Sequence, residues 1–248
     1  MPQPDAHSID QKEINHFETL SHTWWDETGP FKTLHQLNPT RIQFIRDHVM
    51  NHFQEVQSNT QRPFGGFSLL DIGCGGGLLA EPMSRLGAEV MGIDAVENNI
   101  QIAKIHAQSQ ELEITYQATT AETLAVNKQL FDIVVCMEVI EHVASVPEFI
   151  ATCCSLVKPG GILFLSTLNQ TIKSFALGIV AAEYILGWVP RGTHQWRKFV
   201  RPRDLRRSLE INGFKLTDLK GVHYNLLHKN WRINEDLSVN YMVCAVKS

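Results

Sequence analysis

Residues 69–80 read LLDIGCGGGLLA, an apolar run that ends in four glycines within positions 73–77. Glycine adopts backbone conformations that side chains forbid and leaves the chain bare. Such a stretch after a strand suits a tight bend against which something lies closely. In open parallel sheets, ligands bind beyond the carboxyl ends of the strands, and the next helix offers free N–H groups at its start. The dinucleotide fingerprint G-x-G-x-x-G is not met, because Gly73 and Gly75 fit but position 78 is Leu78. The pattern is D-x-G-C-G-x-G over Asp71, Gly73, Cys74, Gly75 and Gly77. Asp94 closes the next strand-like run, where a carboxylate suits the two hydroxyls of a ribose.

The flanking sequence supports that setting. FSLLDIG (67–73), AEVMGID (88–94), EITYQ (113–117), FDIVVCM (131–137) and GILFLST (161–167) read as strands. GLLAEPMSRLG, VENNIQIAKIHAQSQ and VPEFIATCCSLVKPGG between them read as helices with their exits. This alternation predicts an α/β fold with a mostly parallel sheet covered by helices on both faces. Residues 204–248 add a helix and two strands near FKLTDLKGV and VNYMVCAVK, seven strands in all. Residues 10–57 carry apolar residues at helical spacing, with Asn38 and Pro39 expected as a cap and first turn. Residues 58–66 and the basic stretch Pro190 to Arg207 read as loops. The expected division is a helical extension over 1–60 and a catalytic domain over 61–248, with an apolar and basic insertion at about 170–203.

The 248 residues allow one large domain with a sizeable core. A net charge of -4 gives no general case for nucleic-acid binding. The five cysteines are odd in number and lack CxxC spacing, as expected of reduced thiols in a cytosolic compartment. The N-terminal stretch has neither an apolar signal core nor transit-peptide character, and no apolar run reaches the length of a clear membrane span.

The combination of strand, D-x-G-x-G-x-G, helix, strand and terminal Asp94 resembles the Rossmann-like class I S-adenosylmethionine-dependent methyltransferases over about residues 65–168. That resemblance implies that Gly73 and Gly75 lie against the cofactor, Asp71 holds its amino end and Asp94 takes its ribose. Many members carry an acid after the third strand for the adenine amino group; ATTAETL puts Thr120 there, beside Ala121 and Glu122. WWDETGPFKTLHQLNPTRIQFI (24–45), CMEVIEHV (136–143) and the stretch 166–202 narrow the match, with GVHYN (221–225) and VNYM (239–242) agreeing. Over nearly the whole chain these resemble the ubiquinone-biosynthesis O-methyltransferases. The resemblance implies O-methylation of polyprenylated catechol-type rings at both such steps of the pathway. It also implies cofactor contacts from Arg41, Gly73, Asp94 and Met137, an N-terminal helical lid, and a divalent cation, usually Mg²⁺.

Methyl transfer from a sulfonium is an in-line displacement and mainly a positioning task. A phenol with a pKa near ~10 costs about 4 kcal/mol to ionise at pH 7, so a general base or a metal is needed. Glu138, Glu141 and His142 of MEVIEH lie at i, i+3 and i+4 and share one face if the segment turns helical. Three readings stand: the three ligate a divalent cation; His142 accepts the phenolic proton, with or without a metal; or the Glu141–His142 pair only caps a helix and shapes the pocket. Trp24, Trp25 and His35 are expected on the lid, with packing and substrate stacking as alternatives for the tryptophans. Cys74 reads as a packed small residue, and Asn169 and Lys173 as acceptor-pocket or loop residues.

IKSFALGIVAAEYILGWV (172–189) is apolar nearly all round as a helix, and Arg191, Arg197, Lys198, Arg201, Arg203, Arg206 and Arg207 follow it against Asp204. Apolar helix, aromatic residues and basic cluster suit an anionic membrane surface, where a polyprenyl substrate resides. The expectation is a cytoplasmic protein peripherally attached to the inner membrane through about 172–203, within reach of other ubiquinone-pathway proteins. A core helix or a dimer contact is the alternative. Another small-molecule methyltransferase, or a non-catalytic lipid-binding assembly protein on this fold, remains the functional alternative.

Overall fold

The five apolar runs become five adjacent parallel strands in the computed structural model, which describes residues 10–53, 61–175, 196–225 and 230–248. They are β1 (Ser68–Ile72), β2 (Glu89–Asp94), β3 (Thr115–Ala118), β4 (Phe131–Met137) and β5 (Val157–Leu168). Three further strands follow: β6 (Phe214–Asn225), β7 (Asn230–Asn234) and β8 (Asn240–Lys247). The sheet order is β3-β2-β1-β4-β5-β8-β6-β7. β1 pairs in parallel with both β2 and β4, so the strand order reverses around β1 and opens a crevice at its carboxyl end. β8 runs antiparallel between β5 and β6.

Eight strands, rather than the expected seven, are found among the described residues. The added one is NWRIN, which pairs antiparallel with β6 at the sheet edge. Its residues alternate between exposed and half-buried, so it lacks the apolar run that marks the central strands. β4, by contrast, is buried from Ile133 through Met137, as expected of a parallel strand covered on both faces. Its alternate side chains feed two cores. Val134 and Cys136 join Leu70, Phe149, Ile150 and Leu205 on one face, while Ile133 and Val135 join Leu69, Phe44, Ile45 and Phe164 on the other.

The helices are α1 (Gln11–Leu20), α2 (Lys32–His52), α3 (Ala80–Arg85), α4 (Glu97–Ser109), α5 (Ala121–Val126), α6 (Val146–Ser155), the single turn α7 (Ile172–Ser174) and α8 (Pro202–Ile211). α2 begins six residues before the expected cap. Pro39 therefore lies inside the helix, and Asn38 donates its side-chain amide to the Leu78 carbonyl at 2.6 Å instead of capping. Burial of Leu37, Phe44, Ile45 and Val49 against the sheet outweighs the one backbone bond that Pro39 removes. The basic stretch also departs from a loop. Trp196–Lys198 is a 3-10 turn, and α8 starts at Pro202, with Leu205 and Leu209 buried and Arg201, Arg203, Arg206 and Arg207 exposed.

Of the apolar segment 172–189, only Ile172–Phe175 falls within the described residues; 176–195 lies outside them, and with it Arg191. Ile172 and Phe175 are exposed at its edge. No helix among the described residues is long and apolar enough to cross a membrane. All five cysteines are buried and free.

Phe164 on β5 is fully buried and meets Phe44 of α2 edge-on at 6.0 Å. Phe164→Ala is expected to destabilise the protein by about 3–5 kcal/mol, the usual range for deleting a core aromatic ring. Urea unfolding measures it, and an unchanged midpoint would show that the α2–sheet contact contributes little.

Candidate active site

The glycine bend follows β1, and Gly73, Gly75 and Gly77 are required by conformation as well as space. Gly73 has φ +71° and Gly75 φ +53°, both in the left-handed region that other residues enter at a cost. A Cβ on Gly73 would run into Val139, and one on Gly75 or Gly76 into the indole of Trp24. The residue lying closest to the bare backbone is thus one of the chain's own tryptophans, which the sequence did not indicate. Trp25 adds a second contact, donating Nε1–H to the Gly76 carbonyl at 3.0 Å while stacking on His106 at 3.4 Å. His35 Nε2 lies 2.8 Å from the Trp24 carbonyl oxygen. Both tryptophans thus pack against the chain itself.

Asp94 ends β2 beside this bend. Its Oδ2 accepts the Gly75 N–H at 3.0 Å, and its Oδ1 accepts the Val96 N–H at 2.8 Å and the Asn99 amide at 3.2 Å. Burial raises its pKa, and the same hydrogen bonds pull it back down. Asp71 is buried in β1, and its Oδ2 has no hydrogen-bond partner among the described residues. Burial pushes it up to about 7, opposed by the charge of Arg41 and reinforced by that of Asp94.

Arg41 comes from α2 and is buried rather than lying exposed on its helix. Its Nη2 pairs with Glu138 Oε1 at 3.3 Å, and its Nε has no hydrogen-bond partner among the described residues. Met137 ends β4 and is buried among apolar side chains. Glu138, directly after it, has φ +57°, a strained value for a side-chain-bearing residue. That turn is held from three sides: Ser166 Oγ donates to Oε1 at 2.7 Å, Asn240 reaches both oxygens at 3.2 Å, and Arg41 supplies the charge.

The MEVIEH segment becomes a 3-10 turn, Ile140–His142, and this alters the expected cluster. Glu141 is buried beneath the turn and accepts the Thr167 hydroxyl at 2.8 Å; burial, then the neighbouring Glu138 charge, raises its pKa. His142 is half-buried, and Phe17 of α1 packs on its ring edge-on at 5.2 Å. Glu138 and Glu141 thus lie within electrostatic reach of each other while His142 turns to the N-terminal helix. No three His, Cys, Asp or Glu side chains assemble as a metal site among the described residues. The donors expected to ligate a divalent cation, Glu138, Glu141 and His142, do not fit one in this arrangement. The physical reason is that Glu138 already has Arg41 as its cation.

The remaining residues singled out in the sequence have partners within the chain. Cys74 is buried with its thiol pKa raised, an unreactive packed residue. Thr120 caps α5, accepting the Thr123 N–H at 3.3 Å. Asn169 is buried and donates to the Leu237 carbonyl at 2.8 Å, and Lys173 pairs with Asp236 at 2.7 Å on the surface. Sequence reasoning missed Asn99, Ser166, Thr167 and Asn240. Asn99 had a weak signal, a polar residue in the first turn after the acid; Asn240 lay within the VNYM match, but nothing tied it to Glu138, 102 positions away.

Comparison with known proteins agrees with this geometry. A family model described as a methyltransferase domain matches residues 41–219. A ubiquinone biosynthesis O-methyltransferase of Sinorhizobium fredii is 50% identical over 238 residues, covering 96% of both chains. One of Mesorhizobium japonicum is 48% identical over 247 residues, covering 100% of this chain and 99% of its own. Among solved structures, magnesium protoporphyrin IX methyltransferase from Synechocystis with bound SAH superposes with a TM-score of 0.67 at 20% identity. That match covers 96% of this chain and all of the other, and speaks for the fold. With its sheet, glycine bend and terminal acids so arranged, the chain belongs to the ubiquinone biosynthesis O-methyltransferase family.

Proposed function

We propose that the crevice beyond β1, β2 and β4 holds S-adenosylmethionine and that the protein transfers its methyl group to a phenolic hydroxyl of a polyprenylated ring, at both O-methylation steps of ubiquinone biosynthesis. The observation that carries this reading is a charge imbalance: Asp71, Glu138 and Glu141 converge on the single guanidinium of Arg41. Such a cluster favours an incoming cation. S-adenosylmethionine brings an ammonium and a sulfonium, and the sulfonium supplies the activated methyl group.

In this reading Asp71 accepts the ammonium, Arg41 steers the amino-acid carboxylate, Asp94 grips the ribose, and Gly73, Gly75 and Met137 shape the cradle. His142, at the end of the turn after β4, takes the phenolic proton as the oxygen attacks. No step is routed through a metal. Residues 1–60 act as a lid whose α1 reaches His142 through Phe17. The exposed Ile172 and Phe175, with Arg201, Arg203, Arg206 and Arg207 on α8, form the described border of a membrane-facing region. A cytoplasmic enzyme so attached would collect its acceptor from the inner-membrane surface and work beside other enzymes of the pathway.

The raised pKa of Asp71 gives a pH dependence of known sign. The carboxyl holds its proton below about 7 and ionises above it, so its grip on the ammonium strengthens as pH rises through that value. Affinity for S-adenosylmethionine is expected to be about tenfold weaker at pH 6 than on the alkaline plateau. Calorimetry across this range should show proton release on binding, and Asp71→Asn should flatten the profile. A flat profile in the unmodified protein removes Asp71 from the ammonium site.

His142→Ala is expected to lower turnover about 100-fold or more with S-adenosylhomocysteine affinity retained, as for loss of a general base. Turnover of the unmodified enzyme should survive chelation. Loss on chelation with recovery in Mg²⁺ would return a cation to the MEVIEH turn.

For the membrane, flotation with anionic liposomes should carry the protein upward, and the combined Arg201→Glu, Arg206→Glu, Arg207→Glu variant should stay below. Equal flotation of the two would place the contact elsewhere.

A further inference from the structure

Asn99 stands between the N-terminal region and the acid that ends β2. It lies in the first turn of α4 and is 2% exposed. A buried amide at such a place needs partners, and its two are informative. Its Oδ1 accepts the Trp24 Nε1–H at 2.8 Å, and its Nδ2 donates to Asp94 Oδ1 at 3.2 Å. Trp24 belongs to the N-terminal region and sits 75 positions away in sequence.

Trp24 is itself firmly seated. Its indole stacks on Phe31 with ring centroids 3.8 Å apart and planes within 4°. It fills the space that a Cβ on Gly75 or Gly76 would take. The same bend sends the Gly75 N–H to the other oxygen of Asp94 at 3.0 Å. The two oxygens of that carboxylate are thus held separately, Oδ2 by the glycine bend and Oδ1 by Val96 together with Asn99.

We propose that Asn99 is a positioning residue that transmits the seating of Trp24 on the glycine bend to the Asp94 carboxylate and so sets its orientation for the cofactor's ribose. This rests on the reading of Asp94 as the ribose acceptor. Trp24 and Asn99 act as one unit: with the tryptophan in place, the amide is fixed and the carboxylate plane with it. Displacement of the N-terminal region frees the amide, and the ribose grip loosens. Cofactor affinity is coupled to closure of the N-terminal region through one side chain.

The test is calorimetric titration of S-adenosylhomocysteine and its 2′-deoxy analogue into the full-length protein and its Asn99→Ala, Trp24→Phe, double and Asp94→Asn variants, with urea unfolding of each. Trp24→Phe keeps an aromatic ring against Phe31 and removes the donor. Asn99→Ala is expected to weaken S-adenosylhomocysteine about tenfold, in line with loss of a hydrogen bond to a charged group. Trp24→Phe should weaken it by a smaller factor, and the double variant should match Asn99→Ala alone. The penalty for the missing 2′-hydroxyl should be large in the unmodified protein and small in Asn99→Ala, a change that lost packing alone would not produce. An unaltered 2′-deoxy penalty in a folded Asn99→Ala, with Asp94→Asn still binding poorly, overturns the role of Asn99 and leaves Asp94 as the ribose acceptor. Unimpaired binding by Asp94→Asn overturns the ribose reading itself, and the proposal with it.

Discussion

Arg41 faces Asp71, Glu138 and Glu141 at the carboxyl edge of the sheet, and much of the local structure exists to hold that arrangement. Ionised carboxylates removed from water are costly unless paired or hydrogen-bonded. Only Glu138 has the guanidinium as a direct ion-pair partner, and burial raises the pKa of the other two instead. Glu138 takes the guanidinium and two further donors, Ser166 and Asn240. Glu141 has the Thr167 hydroxyl and a raised pKa, and Asp71 has one oxygen without a hydrogen bond. The site is consequently poised for positive charge, and the positive φ of Glu138 is the local strain that keeps this carboxylate at the sheet edge.

The N-terminal region packs directly against the site. α2 buries four apolar residues in the second core and delivers Arg41 from the same helix. Ahead of it, Trp24, Phe31 and Leu78 form a third, small apolar cluster, with Trp25, Leu34 and Ile102 against it. That cluster rests on the glycine bend. The bareness of the bend therefore serves two neighbours, a ligand on the site side in the proposed function and an indole from the chain itself. A small cluster of this kind holds less stability than the two sheet cores.

The central strands were legible because parallel strands buried on both faces must be continuously apolar, and FDIVVCM begins and ends where β4 does. The glycine bend and Asp94 were legible because few backbones need four glycines followed by an acid one strand later. β7 was not, since a polar edge strand is stabilised by the neighbour it pairs with and not by its own composition. The start of α2 was misjudged because Pro39 looks like a first turn locally, while burial of the helix flank decides the matter globally. Arg41, Glu138, Glu141 and His142 were identifiable as residues, but their grouping was not. A helical turn would have put the three MEVIEH groups on one face, and the strained Glu138 followed by the 3-10 turn Ile140–His142 sends them to separate partners.

The amino-acid sequence by itself determined the alternation of strands and helices, the place where the crevice opens and the residues available to its chemistry. These follow from periodicity and glycine content, which act within a few neighbouring residues. Only the tertiary structure decided that Arg41 belongs to Glu138, that Asn240 crosses 102 positions to steady it, and that Trp24 reaches Asp94 through Asn99. Those pairings depend on which buried polar groups find each other once the sheet has closed, and burial makes them necessary only after the fold exists.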